Sequence, residues 1–154
     1  MKRALPSIFA ALMLLVPSTS LAQYYGPNGN GTLEHEDDLK WVFFHDAKIT
    51  ADNKRGVYTA KFGPDLAKME GVQFSITGYM MLIEAKTTST HFLITRRVSG
   101  CPFCPPNEPT EAIEVTTTKP FAYTQSPITV YGRLHLVGES AGGLFYQLKD
   151  ARVG

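Results

Sequence analysis

Two stretches of alternation restrict the fold more than anything else in the chain. Val72, Phe74, Ile76, Gly78, Met80 and Leu82 alternate with Gln73, Ser75, Thr77 and Tyr79, the period of a strand with one buried face. The pattern returns as Ile128, Val130, Gly132, Leu134 and Leu136, alternating with Thr129, Tyr131, Arg133 and His135. Both read apolar-x-apolar-x-Gly. A glycine inside a strand has no side chain to pack and marks a bulge or the bend where a strand turns a barrel corner. Two long strands bent at matching places predict a small closed sheet.

The other apolar runs supply the missing walls. His91 to Val98 leads into a loop rich in proline, Glu111 to Thr117 leads out of it, and Leu144 to Leu148 follows the glycine-rich turn Glu139-Ser140-Ala141-Gly142-Gly143. Five strands, the first and fourth bent, predict a mainly β fold: a small five-stranded barrel of the oligonucleotide/oligosaccharide-binding (OB) type, although a β-sandwich would read almost the same. Ahead of it, Asp52-Asn53-Lys54-Arg55-Gly56 is a turn between Ala47–Thr50 and Val57–Phe62, so a first hairpin is expected. Pro64 to Glu70, opened by proline and closed by Gly71, reads as a short helix. Trp41, Phe43 and Phe44 are expected to dock together as a cover.

The ends have a different character. After Lys2-Arg3, residues 4–16 are largely apolar, and Ser20-Leu21-Ala22 offers the small residues of a signal-peptidase site. The chain therefore divides into a signal peptide (1–22), a flexible glycine- and asparagine-rich arm (23–40) and one barrel domain (41–154), located in the periplasm or secreted. The apolar run is too short to span a bilayer, and no stable span is expected after cleavage. Removing Lys2 and Arg3 from the fifteen basic residues leaves thirteen against fourteen acidic ones. Without a basic excess, nucleic acid is not an expected partner.

Chemistry concentrates in Ser99-Gly100-Cys101-Pro102-Phe103-Cys104-Pro105-Pro106-Asn107-Glu108-Pro109, which holds both cysteines and four of the ten prolines. Two thiols at this spacing can chelate a thiophilic metal such as zinc, close a small disulfide, or exchange with a partner, and spacing alone does not choose. A redox cysteine of thioredoxin type needs a helix start to stabilise its thiolate. Pro105, Pro106 and Pro109 block that helix. Zinc asks for further ligands, for which the candidates are His91, His45, His35, His135 and Glu108; His91 begins the strand that feeds the loop and so is carried away from it. In an oxidising compartment a structural disulfide is as much expected as metal, and a disulfide at rest with metal in the reduced protein would combine the two. No nucleophile elbow, phosphate loop or His-Glu-x-x-His helix is expected, and hence no enzyme. Arg96 and Arg97, with Arg133 on the polar side of its strand, could bind an anion, but such arginines are more often solvated strand-edge charges.

The order Gly71-Val72-x-Phe74-x-Ile76-x-Gly78-Tyr79-Met80, then His91-Phe92-Leu93-Ile94, then Gly100-Cys101 running into Pro105-Pro106-Asn107-Glu108, then Ile128-x-Val130-x-Gly132 resembles an exported bacterial family of unknown function. Its members carry a Gly-x-x-Cys-x-His, proline-rich loop ending in Pro-Asn-Gln. The resemblance runs from Trp41 to Val153 and implies a five-stranded barrel, some members of which sit beside transporters thought to move zinc or other metals across the envelope. Here Phe103 stands where the family often has histidine, Cys104 follows it, and Glu108 replaces the glutamine. A ligand set carried over from the family is then Cys101 with Cys104 as the substituted partner.

Two functions are compatible with these residues. The first is an exported, non-enzymatic accessory in metal handling, beside an envelope transporter component, with Cys101 and Cys104 as ligands. The second is a module that meets a protein or glycan through a barrel face carrying Tyr79, Tyr131 and Arg133, its cysteines joined as a structural disulfide.

Overall fold

In the computed structural model, which describes residues 32–33, 39–99 and 108–154, the alternating stretches close on one another. In chain order the strands are β1 (Thr32–Leu33), β2 (Ala47–Asp52), β3 (Val57–Phe62), β4 (Gln73–Leu82), β5 (Thr88–Thr95), β6 (Val98–Ser99), β7 (Ala112–Ala122), β8 (Ile128–Leu136), β9 (Glu139–Ser140) and β10 (Tyr146–Val153). A 3-10 helix spans Leu39–His45, helix α1 spans Pro64–Ala67, and a second 3-10 turn spans Pro109–Glu111. The segment expected to be a signal peptide, most of the expected arm with His35, and both Cys101 and Cys104 lie outside the described residues.

The barrel runs β10-β7-β5-β4-β8 and closes back on β10. Strands β4, β5 and β7 form an antiparallel meander, with Met80 opposite Ile94 and Ile94 opposite Ile113. Strand β10 lies parallel to β7 through Gln147 and Glu114, and antiparallel to β8 through Leu148 and Leu134. Pairing of β8 with β4, Val130 against Ile76, completes the ring. One parallel contact inside an otherwise antiparallel five-stranded ring is the OB order, and closure leaves the long strands without free edges. The expected hairpin is β2–β3, which β9 extends to three strands.

Alternation decides what fills the ring. Ile76, Met80, Leu82, Phe92, Ile94, Ile113, Val115, Val130, Leu134, Tyr146 and Leu148 all belong to one buried cluster. The barrel mouth is covered by the 3-10 helix rather than by a helix between β7 and β8. With three residues per turn, positions three apart eclipse, so Trp41 and Phe44 face inward together at 1% and 0% exposure. Phe43, expected to dock with them, instead stands 49% exposed beside Val42. The expectation treated the three aromatics as one patch; the period of three separates them.

Both strand glycines mark close approaches. Gly78 lies under Trp41, whose indole Nε1 donates to the Thr77 carbonyl at 2.8 Å. Gly132 lies against β10 where its register shifts between Lys149 and Arg152, and a Cβ there would meet Ala151 Cβ and the Lys149 carbonyl at 3.0 Å.

Tyr146 ties the cover to the barrel. Its hydroxyl donates to the Phe44 carbonyl at 2.8 Å, and burial, with a smaller contribution from the Asp46 carboxylate, pushes the phenol pKa well above its ordinary 10.0. A folded pKa raised in this way contributes fully below the unfolded value. Above about pH 10 the unfolded chain releases the proton while the folded one retains it, so stability falls as pH rises. Tyr146→Phe is expected to lose about 1 kcal/mol at neutral pH from the orphaned carbonyl. Its stability should also decline less steeply than the parent's at alkaline pH, as urea titrations on either side of pH 10 will show.

Candidate functional site

The cysteine-bearing loop joins β5 to β7, and the described residues define its root. At the end of β5 the Thr95 hydroxyl donates to the Arg97 carbonyl at 2.9 Å, curling the chain out of the barrel wall. The Arg96 amide donates to the Glu111 carbonyl at 3.0 Å, and the Glu111 amide to the Glu108 carbonyl at 3.0 Å. Strand β6, directly before the loop, pairs with β1 through Val98–Leu33 and Ser99–Thr32. The two ends of the loop are thus held by backbone bonds that no side-chain substitution within the loop removes.

Charge at the root is compensated internally. Glu111 is only 7% exposed, and its Oε1 lies 3.3 Å from Arg96 Nη1 and 3.8 Å from Arg97 Nη2. A buried carboxylate needs such partners, since an unpaired one would be strongly penalised. This corrects the reading of Arg96 and Arg97 as solvated edge charges: their side chains are 18% and 27% exposed and face one acid. The same Arg96 Nη1 is 3.5 Å from His45 Nε2, so the last residue of the covering helix stands at the loop root.

The remaining candidates disperse. His91 sits in mid-strand rather than at the start of β5, its Nε2 2.6 Å from Glu114 Oε1; Gln147 Nε2 donates to Glu114 Oε2 at 2.7 Å. Thr95 is four residue steps beyond His91, about 13 Å along the wall. His135 Nδ1 is 2.9 Å from Glu70 Oε1, while Glu70 Oε2 accepts the Leu136 amide at 2.6 Å, which fastens the end of β8 to the turn after α1. Glu108 is exposed at the C-terminal foot of the loop. Among the described residues no three His, Cys, Asp or Glu side chains converge on a metal-sized site. Among the described histidines, only His45 is brought to the root.

The expected binding face also divides. Tyr79 is opposite Thr95, near the loop root, whereas Tyr131 pairs with Ser75 and Arg133 with Gln73 at the other end of β4. Arg133 Nη1 donates to the Gly71 carbonyl at 2.7 Å. The Arg152 guanidinium lies over the Tyr131 ring, 4.4 Å from its centroid. Sequence reasoning missed Arg152 and its neighbour Asp150, because the register shift in β10 that brings them beside Tyr131 has no glycine or proline to signal it.

One catalytic spelling was also missed. Gly138-Glu139-Ser140-Ala141-Gly142 is a Gly-x-Ser-x-Gly, which corrects the expectation that the chain has none. A nucleophile elbow, however, sits on a sharp strand-to-helix turn. Here Ser140 pairs with Tyr58 at the margin of the β2–β3–β9 sheet, its Oγ accepts the Leu144 amide at 3.1 Å, and the chain proceeds to β10 with no helix between.

These features define a closed OB-like barrel with a tethered loop at one end. Compared with known proteins, the chain matches no family model, no curated protein and no solved structure. No described helix is long and apolar enough to cross a membrane.

Proposed function

We propose that this chain is an exported, non-enzymatic accessory in the handling of a thiophilic metal such as zinc, with Cys101 and Cys104 as thiolate ligands and an envelope transporter component as its partner. The observation that supports this reading is the loop root. Two cysteines are carried between anchored feet, with the Arg96–Glu111 backbone bond closing the base and His45 beside it. Sulfur and imidazole nitrogen are donors zinc prefers, and anchoring the two ends of the loop lowers the ordering cost of bringing them together. Glu111 offsets the arginine charge that would otherwise repel a dication there. The resemblance of the sequence motifs to an exported bacterial family of unknown function and the leader-like first 22 residues support the location.

Zinc titration of the reduced protein by calorimetry tests it. Stoichiometric binding is expected, lost in the Cys101→Ser, Cys104→Ser double variant and weakened by roughly 10–100-fold or more in His45→Ala. Equal affinity in the parent and the double variant overturns the proposal. The second reading, an interaction module with a Cys101–Cys104 disulfide, draws on the stacked Arg152–Tyr131 pair of the outer wall. A disulfide that persists in mild reductant, with no zinc taken up, would select it.

A further inference from the structure

The wall formed by β4, β8 and β10 carries a feature that the metal reading does not use. Between Lys149, opposite Arg133, and Arg152, opposite Tyr131, β10 contains one residue more than β8, which is a β-bulge. Ala151 turns into the core at 0% exposure, while Asp150 and Arg152 are both exposed. Asp150 has φ 51°, and no other described non-glycine residue has a positive φ. Aspartate is among the few non-glycine residues that adopt this left-handed conformation readily, and it does so at the bulge.

Asp150 lines an open hollow of about 390 Å³ together with Gln73, Phe74, Ser75, Tyr131 and Arg152. Arg152 is held by its stack on Tyr131, and among the described residues neither its guanidinium nor the Asp150 carboxylate has an ion-pair or hydrogen-bond partner. A fork of donors held over an aromatic ring and an unpartnered acceptor thus border one concavity without satisfying each other. Lys40 stands at the rim, its Nζ 2.8 Å from Ser75 Oγ, and Arg133 and Lys149 are exposed neighbours facing each other across β8 and β10. Two cations, Arg152 in the lining and Lys40 beside it on Ser75, accompany one carboxylate, while the Arg133 guanidinium is engaged by the Gly71 carbonyl.

We propose that this hollow binds an acidic saccharide, with a sugar carboxylate on the Arg152 guanidinium and an adjacent hydroxyl donating to Asp150. The planar guanidinium matches a carboxylate in bidentate fashion. Asp150 requires a donor on the same ligand, and the excess of positive charge disfavours an ammonium group in that position. A hydroxyl beside a carboxylate, as on a uronic acid ring, meets both conditions, and Gln73 and the Tyr131 hydroxyl offer further polar contacts. The site is on a different wall from the cysteine loop, which springs from β5 and β7.

The test is titration of isotope-labelled protein with trigalacturonic acid at low ionic strength, followed by amide chemical shifts. Shifts confined to Ser75, Tyr131, Asp150, Arg152 and their neighbours are expected, with affinity reduced by about tenfold or more in Arg152→Ala and in Asp150→Gly. Asp150→Gly also relaxes the backbone at φ 51°, so it should be at least as stable as the parent, and its loss of binding cannot be attributed to unfolding. Maltotriose, which lacks the carboxylate, and tricarballylate, which lacks the hydroxyls, should each bind at least about tenfold more weakly. Binding that is absent, unaltered in both variants, or matched by either control compound overturns the proposal. The Cys101→Ser, Cys104→Ser variant should bind the trisaccharide like the parent, which separates this site from the metal loop.

Discussion

Trp41→Ala should remove about 3–5 kcal/mol of stability, a large part of the 5–15 kcal/mol typical of a domain. Trp41 is 1% exposed in the barrel mouth, meets Phe44 edge-on with ring centroids 5.8 Å apart, and donates to the Thr77 carbonyl at 2.8 Å. Truncation therefore removes a large apolar side chain, leaves a cavity over Gly78, and deprives a carbonyl of its donor. The other attachments of the 3-10 helix include Phe44, Lys40 on Ser75, His45 beside Arg96, and the Tyr146 hydroxyl on the Phe44 carbonyl. Phe43→Ala, two positions along and half-exposed, should stay within about 0.5 kcal/mol of the parent. Urea unfolding of the two variants reads the contrast directly. If both cost the same, the period of three that sorts these aromatics is wrong.

The consequence reaches the loop, since His45 ends the same helix. Freed from Trp41, the helix no longer fixes the imidazole near Arg96. Zinc affinity in the proposed site should then fall in Trp41→Ala under conditions where the barrel is still folded. Stability and ligand geometry are coupled here through one short element, which is why the cover matters to function as well as to closure.

The barrel was legible because alternation has a single physical cause: side chains on successive strand residues face opposite sides. Val130 and Ile76 could be assigned to the interior without knowing that they are partners. What escaped were features set by pairs distant in sequence. Arg96 and Arg97 look like edge charges until topology brings Glu111 across the loop; Tyr79 and Tyr131 look like one face until register puts Ser75, not Tyr79, opposite Tyr131. The bulge at Asp150 escaped for a different reason. Such kinks are anticipated from glycine, and here an aspartate occupies the left-handed position. The Gly-x-Ser-x-Gly spelling shows the converse, a motif whose letters are present while the strand-turn-helix that gives it chemistry is not.

Gly78 offers the sharpest test of how the cover, the barrel and the loop root depend on one another. Replacing a strand glycine by alanine ordinarily stabilises by about 0.5–1 kcal/mol, because the unfolded chain loses freedom. Here a Cβ would stand 2.5 Å from the Thr95 carbonyl oxygen, 3.0 Å from Ile94 Cγ1 and 3.1 Å from Trp41 Cζ2. The first contact decides the sign. Thr95 O belongs to the backbone of β5, paired to β4 through Tyr79, and cannot retreat without opening that pairing. Gly78→Ala should therefore cost about 1–3 kcal/mol, and Gly78→Val more. Gly138→Ala, with nothing within 4 Å of its added Cβ, should be neutral or slightly stabilising. In a Trp41→Ala background the indole contact is gone but the carbonyl contact remains, so the cost of Gly78→Ala should shrink without vanishing. Full relief would show that the clash is with the indole alone, whereas no relief would assign it to β5. Because Thr95 leads directly into Arg96, whose amide closes the loop base on Glu111, displacement of β5 should also lower zinc affinity in Gly78→Ala and leave it unchanged in Gly138→Ala.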